Sequence, residues 1–89
     1  MPEITLTIHH EVGLHARPAS AFVKTASKFK SNITVQHGER SSNAKSILGV
    51  LTLGAQKDAQ IVVKAEGDDA AEALQALETL VNENFGEEK

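Results

Sequence analysis

The sequence predicts an α+β open-faced sandwich, in which a four-stranded antiparallel sheet carries three helices on one face. Apolar residues alternate with polar ones in some segments and recur with helical spacing in others, and these segments follow in the order βαββαβα. A strand, a helix and a strand with a later strand inserted between them form a split βαβ arrangement. We expect a single domain over residues 1–89, because no repeat, linker or low-complexity segment divides the chain.

Elements in the first half of the chain follow from this patterning. Alternation over residues 3–9 predicts a strand, and residues 10–14 read as a loop. A helix is expected from Ala16 to about Phe29, because apolar residues recur at positions i, i+3, i+4 and i+7. Its apolar face holds Ala19, Phe22, Val23, Ala26 and Phe29. Its opposite face carries a polar stripe of Arg17, Ser20, Lys24 and Lys28.

The middle of the chain predicts two strands and a short helix. Ile33 and Val35 mark the second strand, and a turn at 37–39 leads to a third strand over 40–43. That third strand is so polar that we place it at a sheet edge, where polar side chains discourage unwanted pairing. A helix follows over 46–53 with Ser46 as its N-cap, and Gly54 closes it.

The last two elements are a strand and a long helix. Residues 60–65 alternate as a fourth strand, and Gly67 breaks the chain. Asp69 and Glu72 have the spacing of a capping box at the start of the final helix. Its apolar stripe runs through Phe85, and Gly86 ends it. The stripe comprises Ala70, Ala73, Leu74, Leu77, Leu80, Val81 and Phe85.

Composition excludes several classes of function. The net charge of -3 argues against nucleic acid as a partner, and the three aromatic residues, all Phe, disfavour base-stacking platforms. The absence of cysteine excludes disulfides and thiolate metal sites. No apolar run reaches membrane-spanning length, and the start Met1-Pro2-Glu3 lacks the features of a signal peptide. We expect a cytoplasmic protein that acts without a cofactor, a metal or a membrane.

The stretch Gly13-Leu14-His15-Ala16-Arg17-Pro18 carries the chemistry. Pro18 is tolerated in a first helical turn, so His15 falls at or near the N-cap of a helix that begins at Ala16. Free backbone N–H groups, the helix dipole and a guanidinium then surround any group bound to His15, and phosphate suits them best. The alternative is a plain polar loop histidine followed by an arginine that points into water.

The short helix over 46–53 has two apolar arcs. If Val50 and Leu53 face the core, then Ile47, Leu48 and Leu51 form an exposed apolar patch that suits a protein partner. The alternative is a helix buried more fully than this.

With Gly13-Leu14-His15-Ala16-Arg17-Pro18-Ala19 and Ser46-Ile47-Leu48-Gly49-Val50 in register, the whole chain resembles the HPr family. HPr is the histidine-containing phosphocarrier of the bacterial phosphoenolpyruvate-dependent sugar phosphotransferase system (PTS). The resemblance implies that Nδ1 of His15 accepts a phosphoryl group from enzyme I. The resemblance also implies that the chain passes this group to a sugar-specific IIA protein or domain. Arg17 and the backbone N–H groups of Ala16 and Arg17 would then stabilise the phosphate.

The resemblance also implies a regulated docking surface. Ile47, Leu48 and Leu51 match the family's apolar docking patch, and Ser46 resembles a serine phosphorylated by HPr kinase/phosphorylase. Phosphorylated relatives of this kind bind a catabolite-control transcription factor. We hypothesise that phosphate on Ser46 repels an acidic surface of enzyme I. The basic and polar part of the expected docking set is Ser20, Lys24 and Lys45, and Arg17 adds a further basic residue beside it.

Three other functions compete with the sugar-branch carrier. One is a phosphocarrier of the nitrogen-related branch, and another is a regulatory relative that acts only through phosphorylated Ser46. The third is an unrelated ligand-binding module of split βαβ form. Val12 departs from the small polar residue common in relatives, and neither Glu87 nor Glu88 can be matched to a family acidic group near the chain end. We expect a monomer, and we expect His9, His10 and His37 to be solvated.

Overall fold

The structure is a computed structural model that describes residues 2–11, 13 and 16–86. It confirms the predicted class and the order βαββαβα. The strands are β1 (Glu3–Thr7), β2 (Asn32–His37), β3 (Arg40–Asn43) and β4 (Gln60–Glu66). The helices are α1 (Ala16–Ala26), α2 (Ile47–Thr52) and α3 (Ala70–Asn82), followed by a 3₁₀ turn over Asn84–Gly86.

The sheet has the strand order β1-β4-β2-β3, with every neighbouring pair antiparallel. β4 is thus inserted between β1 and β2, as the split βαβ prediction requires. The polar strand β3 lies at an edge, which also confirms the prediction. In this register Val63 faces Ile4 on one side and Val35 on the other, so apolar side chains line one face.

The core lies between that apolar face and the helices. The largest fully buried side chains come from every layer. They are Phe22, Ile8, Leu53, Ile61, Leu77, Val35, Val50, Val63 and Val81. The helical stripes are therefore placed as their spacing predicts, because burying one face of each amphipathic element removes its apolar area from water.

Helix α1 ends at Ala26 rather than near Phe29, so the predicted end is wrong. The Ser27 N–H still donates to the Val23 carbonyl, but the next two N–H groups, of Lys28 and Phe29, bond only three residues back. The chain tightens there before it enters β2. Phe29 nevertheless packs half-buried against the core, which is why the apolar spacing continues past the helix.

Helix α3 ends at Asn82, whereas the prediction carried it through Phe85 to Gly86. The Glu83 N–H donates to the Thr79 carbonyl, and the following Asn84 and Phe85 both take a φ of 59°. Two successive left-handed residues stop the helix and turn the Phe85 ring back into the core, where it is 5% exposed. The apolar stripe thus includes Phe85, although the helix does not.

The predicted capping box at the start of α3 is wrong. The Asp69 side chain makes no cap bond to α3, and Glu72 is exposed. The Asp69 carboxylate instead accepts hydrogen bonds from the Lys30 N–H at 2.8 Å, the Ser31 N–H at 2.9 Å and the Ser31 hydroxyl. These three donors hold the α1–β2 connection, and they outweigh a single cap bond.

Candidate functional site

The site is built around the start of α1, which begins at Ala16 as predicted. Pro18 lies in the first turn and is buried, whereas Ala16 and Arg17 are exposed. The first N–H groups of a helix have no partner within it, and no acidic residue occupies this first turn. An anion there meets backbone donors, the positive end of the dipole and the Arg17 guanidinium. Leu14 and His15 lie outside the described residues, as do Val12, Glu87 and Glu88.

Gly13 fixes the path of the chain just before this helix. Its φ is +74°, and its N–H donates to the His10 carbonyl at 3.0 Å. A β-carbon on Gly13 would lie 2.5 Å from the Ala55 carbonyl oxygen and 2.6 Å from Cα of Gln56. Only glycine therefore fits between the helix approach and the α2–β4 connection.

The polar stripe of α1 starts at the same place. Arg17 and Lys24 are exposed, and Ser20 is half-buried on the same helical face. Lys45 is placed differently, because its ammonium donates to the Phe29 carbonyl at 2.7 Å. That carbonyl lies beyond the C-terminal end of α1, and an 11-residue helix is about 16 Å long. The structure thus brings Arg17, Ser20 and Lys24 together and binds the Lys45 ammonium beyond the other end of the helix.

Ser46 caps α2, as the sequence predicts. Its backbone is extended, with φ -108° and ψ 115°, and its hydroxyl oxygen accepts a hydrogen bond from the Gly49 N–H at 3.1 Å. The residue is exposed. The hydroxyl is therefore both a helix cap and a group within reach of another protein.

The two arcs of α2 are distinguished by burial. Val50 is 0% exposed and Leu53 2% exposed, whereas Ile47 is 39% and Leu48 72% exposed. Of the predicted exposed patch of Ile47, Leu48 and Leu51, only Ile47 and Leu48 are exposed, so the prediction is wrong for Leu51. Leu51 is only half-buried and packs against the core at the margin of the pair.

Sequence reasoning missed how α2 is attached to the β2–β3 hairpin. The Arg40 guanidinium donates to the Thr52 carbonyl at 3.0 Å, and the His37 ring donates through Nδ1 to the Leu53 carbonyl at 2.8 Å. Carbonyls at a helix end lack partners within the helix, so these two side chains satisfy them. His37 is therefore bound rather than simply solvated. Lys and Arg are common at helix ends, but these groups come from neighbouring strands, so no spacing in the sequence signals them.

Gly49 is a second residue whose role emerges only in three dimensions. A β-carbon there would overlap the Ser42 hydroxyl of β3 and lie 3.3 Å from the Ser46 hydroxyl oxygen. The missing side chain lets α2 lie directly against the edge strand.

His10 also differs from expectation. It is 8% exposed rather than solvated, and its ring meets the Phe85 ring edge-on, with centroids 6.1 Å apart and planes at 67°. His9 is exposed, as expected. Two adjacent histidines thus have opposite environments, because consecutive side chains of an extended chain point to opposite sides.

The described residues carry neither a metal cluster nor a membrane-spanning helix. No group of three or more His, Cys, Asp or Glu side chains within 2–11, 13 and 16–86 is arranged to hold a metal ion. In the same part of the chain, no helix combines the length and hydropathy that crossing a bilayer requires.

An open-faced sandwich with an exposed helix start directly after a histidine is the architecture of a small phosphocarrier domain. The chain belongs to the HPr family of the PTS, because the family described as the PTS HPr component phosphorylation site matches residues 2–83. Enzyme I and IIA proteins are the general partners of this family.

Solved structures agree with this assignment. HPr-C-His from Thermoanaerobacter tengcongensis is 48% identical and covers 100% of both chains, with a TM-score of 0.95. A mycoplasma histidine-containing phosphocarrier protein is 40% identical over 94% of this chain and 97% of its own, with a TM-score of 0.86. Crh, the catabolite repression protein of Bacillus subtilis, is 34% identical over 93% of this chain and 95% of its own, with a TM-score of 0.75; it is described as a swapped dimer.

Proposed function

We propose that this HPr-family chain carries phosphoryl groups on Nδ1 of His15, between phospho-enzyme I and a sugar-specific IIA protein or domain. The observation that carries the proposal is the start of α1 at Ala16, with Arg17 exposed beside it. It supplies backbone donors and a guanidinium one and two residues after His15. The chain acts as a phosphorylated intermediate, and each partner supplies the other half of the transfer site.

The chemistry suits an exposed histidine. The neutral imidazole nitrogen attacks phosphorus, a new N–P bond forms, and the bond from phosphorus to enzyme I breaks. The other ring nitrogen keeps its proton. Imidazole is a good nucleophile near neutral pH and a good leaving group in the next transfer. Arg17 and the helix start offset the charge on the transferring group, so the contribution is positioning and electrostatic.

Docking is assigned to the exposed arc of α2 and the polar face of α1. Ile47 and Leu48, with Leu51 at their margin, supply apolar contact, and Ser20 and Lys24 continue the surface from Arg17. Lys45 contributes charge in addition to its bond to Phe29. A small apolar centre with a basic rim suits a partner whose surface is acidic.

Ser46 is proposed as a regulatory phosphorylation site for HPr kinase/phosphorylase. Phosphate adds a charge of about -1.5 to -2 at the start of α2, which the helix tolerates locally. The effect therefore falls on the partner: it repels an acidic surface of enzyme I and creates a surface for a catabolite-control transcription factor. Unchanged acceptance of phosphate from enzyme I by the Ser46-phosphorylated chain would refute this mechanism.

The test is intact-mass measurement after incubation with phosphoenolpyruvate and enzyme I. We expect one added phosphate that brief acid treatment removes, and His15→Ala should abolish it. Ser46→Ala is the matched control and should still take the phosphate. An acid-stable phosphate, or one that survives His15→Ala, contradicts the carrier function.

The likeness to Crh and the exposed Ser46 hydroxyl support a second candidate, a regulatory protein that acts only when Ser46 is phosphorylated. Its signature is phosphate gained from ATP and the kinase with none gained from enzyme I. We propose a monomeric carrier. Size-exclusion chromatography with light scattering distinguishes it from a swapped dimer of the kind described for Crh.

A further inference from the structure

The chain that leads to the acceptor histidine is held from both sides, and His10 is the residue common to both supports. β1 is extended beyond Thr7 by two bonds, from the Ile8 N–H to the Ala59 carbonyl at 2.9 Å and from the Asp58 N–H to the Ile8 carbonyl at 2.7 Å. His10 therefore starts from a fixed strand end. Its main chain and its ring then contact different parts of the molecule.

The main-chain contact points toward the acceptor. The His10 carbonyl accepts a hydrogen bond from the Gly13 N–H at 3.0 Å, and Gly13 is wedged against Ala55 and Gln56. Gly13 and Ala16 bracket residues 14 and 15 in the sequence. A displacement of His10 would therefore move Gly13, which is one of the two residues that flank the proposed acceptor segment in the sequence.

The ring contact points to the other end of the chain. The His10 ring packs edge-on against Phe85, in the 3₁₀ turn that contacts both α1 and α3. That turn is strained, because Asn84 and Phe85 each have a φ of 59°. Among the described residues, the buried Oδ1 of Asn84 has no hydrogen-bond partner. Strained backbone and an orphaned polar atom are unusual in a turn that serves only to end a helix.

We infer that His10 and Phe85 are positioning residues for phosphoryl transfer. Their edge-on ring pair attaches the segment that ends at Gly13 to the 3₁₀ turn near the C-terminus. The inference rests on the proposed role of His15. Neither ring takes phosphate or contacts a partner in this scheme. Their effect is to hold Gly13 in place, and in-line transfer depends on how the chain that follows Gly13 is placed.

This role predicts a particular kinetic change. The exposed arc of α2 and the polar stripe of α1 are left intact, so the KM of enzyme I for the carrier stays unchanged. The kcat of phosphoryl transfer falls instead, because small misplacements of a reacting group lower the rate steeply. We expect His10→Ala to lower kcat roughly tenfold. His9→Ala, which alters the adjacent exposed histidine, is the matched control and should behave as the wild type.

The experiment measures steady-state phosphorylation of the full chain by enzyme I and phosphoenolpyruvate, with urea unfolding to confirm that each variant is folded. Phe85→Leu is the milder second variant and should lower kcat in the same way. The double variant should fall no further than the larger single effect, because one contact is lost in both cases.

Two results would overturn the inference. One is a folded His10→Ala or Phe85→Leu chain with wild-type kcat, and the other is a raised KM at constant kcat. Failure of the carrier function itself is recognised separately, as an unphosphorylated wild type or a phosphorylated His15→Ala chain.

Discussion

The two ends of α1 are built for opposite purposes. At the N-terminal end Ala16 and Arg17 are exposed, and the first-turn N–H groups have no partner within the helix. Beyond the C-terminal end, the Phe29 carbonyl accepts from the Lys45 ammonium, and the Lys30 and Ser31 N–H groups donate to the Asp69 carboxylate. Satisfied groups hold the fold together, whereas the first-turn donors, which the helix itself leaves unpaired, suit the proposed phosphate site. The proposed carrier function needs both, because the chain must stay folded while it binds its phosphate only transiently.

The largest expected effect comes from breaking the open end of the helix. Arg17→Ala removes the exposed cation two residues after the proposed acceptor and should slow phosphoryl transfer from enzyme I roughly a hundredfold, as loss of a transition-state donor does. The free energy of unfolding should stay near the wild-type value, because the side chain is exposed. Rapid-quench kinetics measure the rate of phosphoryl transfer, and urea unfolding measures the free energy of unfolding. Lys28→Ala, which removes an exposed cation beyond the C-terminal end of α1, is the control; an equal loss of rate there would contradict the assignment.

The support beneath the open end is tested at Gly13. Gly13→Ala places a β-carbon 2.5 Å from the Ala55 carbonyl oxygen on a backbone with positive φ, so it should cost about 2 kcal/mol of stability and slow transfer. Gly38→Ala is the matched control, since φ is also positive there but no atom lies within 4 Å. Chemical denaturation of both variants separates the cost of the contact with Ala55 from the cost of a positive φ. Equal losses at the two positions would show that the contact with Ala55 is unimportant.

The C-terminal end of α1 is tested at Asp69. The pKa of this carboxyl is lowered chiefly by the hydrogen bond from the Ser31 hydroxyl and then by the one from the Lys30 N–H. A lowered pKa in the folded state stabilises the protein above the ordinary value of 3.8, and that stability is lost as the pH falls below it. Asp69→Asn should therefore be less stable than the wild type at pH 7 and converge with it in acid. Urea unfolding from pH 7 to pH 2 measures this. Phosphoryl transfer at pH 7 should be unchanged in the folded variant, and a parallel loss of rate would mean that the two ends are coupled.

The smallest effect is expected at Lys45, which contributes to both structure and the proposed docking surface. Lys45→Met keeps the aliphatic stem but removes the donor to Phe29, so stability should fall by about 1 kcal/mol. Lys24→Met serves as the comparison, because Lys24 is exposed. It should raise the KM of enzyme I more than Lys45→Met does, with no loss of stability. The reverse order would make Lys45 primarily a docking residue.

Much of this architecture was predictable because local patterns and the fold agree. The alternation in β1 and β4, the helical stripe through Phe22 and the polar edge strand each report which side faces the core, and burial is what the apolar pattern encodes. The Ser46 cap was also predictable, since its bond to Gly49 spans only three residues. The same holds for the exposure of Leu48, because helical angles place it about 160° away from Val50.

The errors share a physical cause, which is competition from groups distant in the sequence. Asp69 has the spacing of a cap, but Ser31, 38 residues away, supplies two donors to its carboxylate. His10 reads as a loop residue, yet Phe85 comes back from the other end of the chain to bury it.

Local backbone preference and periodicity specify the order of elements, the faces they bury and the residues placed at the start of α1. The folded structure specifies where α1 and α3 end, which groups satisfy the end of α2, and how closely Gly13 and Gly49 let segments approach. Those outcomes depend on which partners the folded chain brings within hydrogen-bonding or contact distance, and no local pattern specifies that distance.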